Sequence, residues 1–292
     1  MRGRIQGSLK IALGALIVTL ALTAGPQDRA LELFRATDYP GAIAILRDAK
    51  DARGLELLGR SYLAEGDYRR ATETLERAVA LEPSNSMMYT WLARAYGHRA
   101  ETSFALNAAH NANRTRECFE RAIELDPSNR SALGDLFDFY LQAPAVVGGG
   151  VDKAKALLPQ IARYDPVGHE LDEASLAEHA KQFDKAEQHL HRAIEIGPRD
   201  ADPQSKLQVS LAKFLARRAR FEESEQVFRR AAEINPLCPR LDFDRAETYI
   251  QTRRNPAEAR DLLRKYLAAR NLTPEDPARH DALRLLKKVE GT

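Results

Sequence analysis

Apolar residues recur at three- and four-residue intervals along most of the chain, in runs broken by short polar stretches. Leu55, Leu58 and Tyr62 make one such run, Ala71, Leu75 and Ala78 make the next, and Pro83 closes the pair. That spacing puts the apolar side chains on one face of a helix, and proline, lacking an N–H, ends it. No stretch alternates apolar and polar residues as a half-buried strand does. A closing set of the same kind is written five times: Ala71, Leu75 and Pro83; Thr115, Phe119 and Pro127; Ala154, Leu158 and Pro166; Ala186, Leu190 and Pro198; Ser224, Phe228 and Pro236. Self-similarity at a period of about 34 residues predicts stacked two-helix units, none of which buries its apolar face alone. The expectation is an all-α solenoid.

The clearest unit can be set against the pattern W-x2-L-G-x2-Y, A-x3-F, P. Leu55 takes the tryptophan place, Leu58 and Gly59 match the L-G pair, and Tyr62, Ala71, Leu75, Ala78 and Pro83 follow in register. Here the chain resembles the tetratricopeptide repeat family. The spacing has a physical cause: Gly59 and Ala71 are small where two antiparallel helices approach, and Leu58, Tyr62 and Leu75 fill the gap. The resemblance implies a right-handed superhelical solenoid of antiparallel helix pairs with a C-terminal capping helix. It also implies protein binding without catalysis, cofactor or metal.

The repeats are assigned as 52–85, 86–129, 130–166, 167–200 and 201–238. An abbreviated opening unit (26–51) precedes them, and a divergent sixth (239–271) and a capping helix (272–292) follow. The second repeat carries Tyr89, Leu92, Ala93 and Tyr96, then Thr115, Phe119 and Pro127. Nineteen residues separate Tyr96 from Thr115 where nine separate Tyr62 from Ala71, so ten have been added and an enlarged turn is expected. The third carries Leu133, Leu136, Tyr140, Ala154, Leu158 and Pro166, with a glycine-rich turn at 146–151. In the fourth, Ala174, Ala177, Ala186, Leu190 and Pro198 keep register, but Glu170 and Glu173 stand where apolar residues belong and leave its first helix in doubt. Leu211, Ala212, Leu215, Phe228 and Pro236 restore the pattern in the fifth. Phe243, Ala246, Tyr249, Ala259, Leu263 and Tyr266 make the sixth, with Pro256 at the start of its second helix.

Composition agrees: 44% of the 292 residues are hydrophobic and 29% charged. Formal net charge is +2, and residues 1–24 hold three basic residues and no acid, so the remainder carries 41 basic against 42 acidic side chains. A near-neutral solenoid lacks the basic footprint of a nucleic-acid binder. At the N-terminus Arg2, Arg4 and Lys10 precede an uncharged run of twelve residues, Ile11 to Leu22, with Thr23, Ala24 and Gly25 before Pro26. Twelve is short of the ~20 residues that span a bilayer, so 1–25 reads as a signal peptide for export to the periplasm or the exterior. The competing reading, counted from Ser8, is an uncleaved membrane anchor.

Candidate chemistry is sparse. Cys118 and Cys238 lie three units apart, too far to bridge, and are expected as free thiols. His189 and His191 are two apart, point in different directions on a helix, and read as exposed residues rather than metal ligands. His98 and His110 fall in or beside the second repeat's insertion and read as part of a solvated loop or helix extension. Gly148, Gly149 and Gly150 lack phosphate-loop spacing and read as a turn.

A helical solenoid offers a concave face lined by the first helix of each unit. By register, its exposed side chains include Glu56, Arg60, Trp91, Arg94, His98, Asp138, Gln142, Lys213 and Arg217. Arg60 and Arg94 are 34 residues apart at equivalent positions. With Trp91 they would suit an acidic or C-terminal segment that also carries an apolar side chain. The alternative is that Glu56 pairs with Arg60 and Trp91 packs in the core. Glu56, Arg60, Trp91, Ser131 and Asp135 stand where some relatives hold a peptide terminus with lysines and asparagines, so that clamp is absent. The functional expectation is a non-catalytic scaffold in the cell envelope that binds a protein or peptide. Its alternatives are a self-associating structural subunit and, with least support, an enzyme using the enlarged turns of the second and third repeats. Membrane contact is expected only if the N-terminal segment stays uncleaved.

Overall fold

The computed structural model describes residues 25–291, and the export reading falls outside them. Among the described residues there is no strand, and fifteen α-helices follow one another in pairs. They are α1 (Pro26–Arg35), α2 (Tyr39–Leu46), α3 (Ala52–Ala64), α4 (Tyr68–Leu81), α5 (Ser86–Glu101), α6 (Ala105–Leu125), α7 (Arg130–Gln142) and α8 (Val151–Tyr164). Then come α9 (Pro166–His179), α10 (Phe183–Ile196), α11 (Ala201–Arg217), α12 (Phe221–Ile234), α13 (Pro239–Gln251), α14 (Pro256–Ala268) and α15 (Arg279–Glu290). The architecture is the all-α solenoid that the periodicity predicts.

Local chemistry sets the helix starts. Asp51, Asp67, Asn85, Asn129 and Asp165 each accept a backbone N–H three residues on, at 2.9–3.2 Å, and so satisfy one of the donors a helix start leaves free. Asn129 also donates to the hydroxyls of Ser86 (2.7 Å) and Thr90 (3.0 Å), tying the start of α7 to α5 of the preceding unit. Five short turns within pairs use the left-handed region, at Thr37, Gly66, Lys181, Ala219 and Arg253, and the last of them uses it again at Asn255.

One core cluster runs unbroken from Ala71 and Leu75 through Leu92, Phe119, Leu133 and Phe137 to Leu158 and Ile161. Each helix pair covers the next, as a stacked repeat requires. In the fourth unit α9 does form, and the polar positions that put it in doubt have found partners. Glu170 is buried, with His189 Nδ1 2.7 Å from one carboxylate oxygen and Arg192 Nε 3.4 Å from the other. His189 is therefore half-buried and engaged, not the exposed residue expected of it, whereas His191 is exposed.

The second unit's ten added residues lengthen its helices instead of its turn. α5 has 16 residues and α6 has 21, so only Thr102 to Phe104 connect them. In the third unit, a 3-10 turn at Ala145–Val147 leads into the glycines. The amides of Gly148, Gly149 and Gly150 donate to the carbonyls of Ala145, Pro144 and Tyr140, which leaves none for an anion.

α15 packs on α13 and α14, with Ala282 inside their core. It also reaches back to the first full unit, 212 residues away: His280 Nε2 lies 3.2 Å from the Tyr68 hydroxyl, and Nδ1 is 3.0 Å from the Ala64 carbonyl oxygen. Gly66, with φ of 77°, supplies both the left-handed turn and the space, since a Cβ there would come within 3.2 Å of the His280 ring. The solenoid coils until its tail meets its head.

The close approach within the first full unit is testable. A Cβ on Gly59 would lie 2.5 Å from Leu75 Cγ, whereas a Cβ on the helical Gly134 would meet nothing within 4 Å. Gly59→Ala should cost ~1–3 kcal/mol through overpacking. Gly134→Ala should be neutral or gain up to ~1 kcal/mol from helix propensity, both read by denaturant unfolding.

Candidate functional site: two recesses on the concave face

Helices α3, α5 and α7, the first members of consecutive units, lie side by side. Trp91 on α5 is half-buried, with the Arg60 guanidinium 4.4 Å and the Arg94 guanidinium 4.7 Å from its ring centroid. Arg60 also lies 4.9 Å from the Phe34 ring centroid and pairs with Glu56 at 3.3 Å, while Arg94 Nε reaches Asp135 Oδ2 at 2.6 Å. Cation–aromatic contacts of this kind add ~0.5–2 kcal/mol apiece as water is excluded. Arg60, Trp91 and Arg94 are thus half-buried and not the exposed side chains the register predicts. Burial pulls the Arg60 pKa down, Glu56 opposes that, and Arg94 adds to it. Trp91 Nε1 and Arg60 Nε are shielded from solvent without a hydrogen-bond partner.

Two recesses share Arg94 as a wall. The larger, about 1020 Å³, is bounded by Phe34, Arg60, Trp91 and Arg94 and, from the far end of the chain, by Lys206, Leu237, Pro274, Glu275 and Asp276. The smaller, about 450 Å³, has a floor of Ala93, Gly97, Ala100, Ala112, Phe119 and Phe139. Its rim is Arg94, His98, Glu101, Asp135, Asp138 and Gln142. Arg94, His98, Asp138 and Gln142 therefore converge on one recess, and Arg60, Trp91 and Arg94 on the other.

Lys213 and Arg217 do not join them. Lys213 is half-buried and holds Asp244 (2.5 Å) and Glu247 (3.0 Å) of the next unit's first helix, and Arg217 grips Glu178 of the preceding one through two bonds of 2.8 and 2.7 Å. These side chains join neighbouring helices. The acids lie 31, 34 and 39 residues away, and opposite charges about one repeat apart are the signal that would have found them.

Sequence reasoning passed over Asp172 on α9. Burial, then the negative charges of Asp138, Asp165 and Glu173, push its pKa up to about 8. Its Oδ2 is buried without a hydrogen-bond partner. Asp138 keeps an open side toward the recess, yet burial and the Asp135 carboxylate push it up to about 6. Cys118 is buried and pushed up to about 12, so it is not a nucleophile at neutral pH.

These features define a helical-repeat protein in which first helices of successive units line two recesses. A tetratricopeptide repeat family profile matches residues 56–99 and 210–277. The chain is similar in structure to a thermophilic tetratricopeptide-repeat protein of Thermus thermophilus, at 21% identity over 64% of this chain and 97% of the other, with a TM-score of 0.51. It is also similar to a tetratricopeptide-repeat protein of Parabacteroides merdae, at 14% identity over 91% of this chain and 97% of the other, with a TM-score of 0.59. No curated protein matches the chain. The fold is that of a tetratricopeptide-repeat solenoid.

The raised pKa of Asp172 fixes a pH dependence. The folded chain keeps that proton to about pH 8, while an unfolded aspartate loses it near 3.8, so the residue costs stability increasingly as pH rises between those values. Asp172→Asn should raise the melting temperature by ~2–6 °C at pH 9 and leave it unchanged at pH 3.5. Paired thermal melts at the two pH values read the difference.

Proposed function

We propose that the protein is a non-catalytic interaction scaffold of the cell envelope that holds a segment of a partner protein on its concave face. The supporting observation is the pair of adjoining recesses joined at Arg94, in which an apolar floor is ringed by charged and amide side chains. Recognition sites generally combine apolar bulk with a few placed polar groups. The fold supplies the general role, since stacked helix pairs present a continuous inner surface to extended peptides or partner helices. Export rests on the order of charge, short apolar run and small residues at 1–25.

Two experiments test the parts separately. A photo-crosslinking amino acid at exposed Gln142, on the rim of the smaller recess, should yield a discrete adduct in the intact cell; none at Gln142 but one at Arg229, on exposed α12 surface, would sink the concave-face assignment. Residues 1–30 fused to alkaline phosphatase, which is active only after export, should give an active reporter. An inactive fusion would remove the envelope location.

A further inference from the structure

Resting on that reading, we propose that the smaller recess receives a lysine or arginine side chain from the partner, so the bound segment is basic and aliphatic, not acidic. The sequence pointed the other way because Arg60 and Arg94 stand out along it. In the folded chain both are neutralised at close range by Glu56 and Asp135. The larger recess around Arg60 is, in addition, walled in part by the chain's own Glu275 and Asp276. The basic end of the inner face is supplied with acids from within.

The smaller recess has the opposite balance. Once Arg94 is set against Asp135, two carboxylates remain on the rim, Asp138 and Glu101. Among the described residues Glu101 pairs only with His98, 3.5 Å away, which is cationic only when protonated, and no basic side chain pairs with Asp138. The floor below is apolar and built of small residues, Ala93, Gly97 and Ala100 among them, so there is room above it. The lengthened second unit contributes directly, since α5 runs on to Glu101 and so brings Ala100 and Glu101 to the recess. A lysine matches both features: its methylene stem lies along apolar surface while the ammonium reaches a carboxylate at the mouth. Arginine offers the same combination with a flatter head. An acidic segment would bring a third unneutralised carboxylate beside Asp138 and Glu101.

The test uses the full chain and two fluorescein-labelled helical peptides, one of alternating leucine–alanine and lysine positions, the other with every lysine replaced by glutamate. Fluorescence anisotropy should show the lysine peptide binding at least tenfold more tightly than the glutamate peptide. Asp138→Asn should weaken it at least threefold, and Asp184→Asn, at an exposed acid on α10, should not. Circular dichroism melts check that both variants fold. Equal or tighter binding of the glutamate peptide, or unchanged affinity in Asp138→Asn, overturns the inference. If neither peptide binds while the Gln142 crosslink still forms, the inference alone fails; if the crosslink is also absent, the scaffold reading fails with it.

Discussion

Every part of this molecule depends on helix pairs lending one another cover. A two-helix unit buries one stripe per helix, and burial of a single leucine is worth only ~1.5–3 kcal/mol, too little to order some thirty residues alone. Stacking turns those stripes into one continuous core from Ala71 to Ile161. Close approach is what allows it. Ala71, Ala78, Ala93, Ala122, Ala154, Ala186, Ala193, Ala212 and Ala231 are all fully buried, so small residues recur wherever one helix leans on another.

The same constraint explains why the fourth unit survives two glutamates on its inner stripe. An unpaired carboxylate at that depth would cost several kcal/mol. His189, one helix over, hydrogen-bonds one oxygen of Glu170 and the Arg192 guanidinium lies 3.4 Å from the other, so the position is filled by a polar bridge instead of packing. Asp172 has no such partner and stays protonated to higher pH. A gap in apolar cover is closed either by supplying a counter-charge or by holding a proton.

Much of this was legible along the chain and some was not, for definite reasons. Local signals, such as Pro83 just beyond the end of α4 and Pro256 at the start of α14, act within three or four residues and could be read directly. The grouping of Arg94, His98, Asp138 and Gln142 also followed from register, because equivalent positions of stacked units must be neighbours. Exposure did not follow. Register says which way Arg60 and Trp91 point but not that Phe34, from the opening unit, and Pro274 to Asp276, from the tail, close over the same space. The fate of the ten added residues was open as well, since Ala, Asn and Arg suit a helix extension about as well as a solvated turn.

The charges on the first helices obey one further rule. Arg94 with Asp135, Lys213 with Asp244 and Glu247, and Arg217 with Glu178 all join a helix to its counterpart in an adjacent unit. Individually such half-exposed pairs contribute little, roughly 0.2–1 kcal/mol. Their placement matters more, because each matches only when units stack in sequence, and a slipped stack would set like charges together. Pairing of this kind uses up most of the inner face's charge and lapses at Asp138 and Asp172, on neighbouring units. Where a scaffold commits its charges to holding its own order, the carboxylates left over mark the part of the surface still open to another molecule.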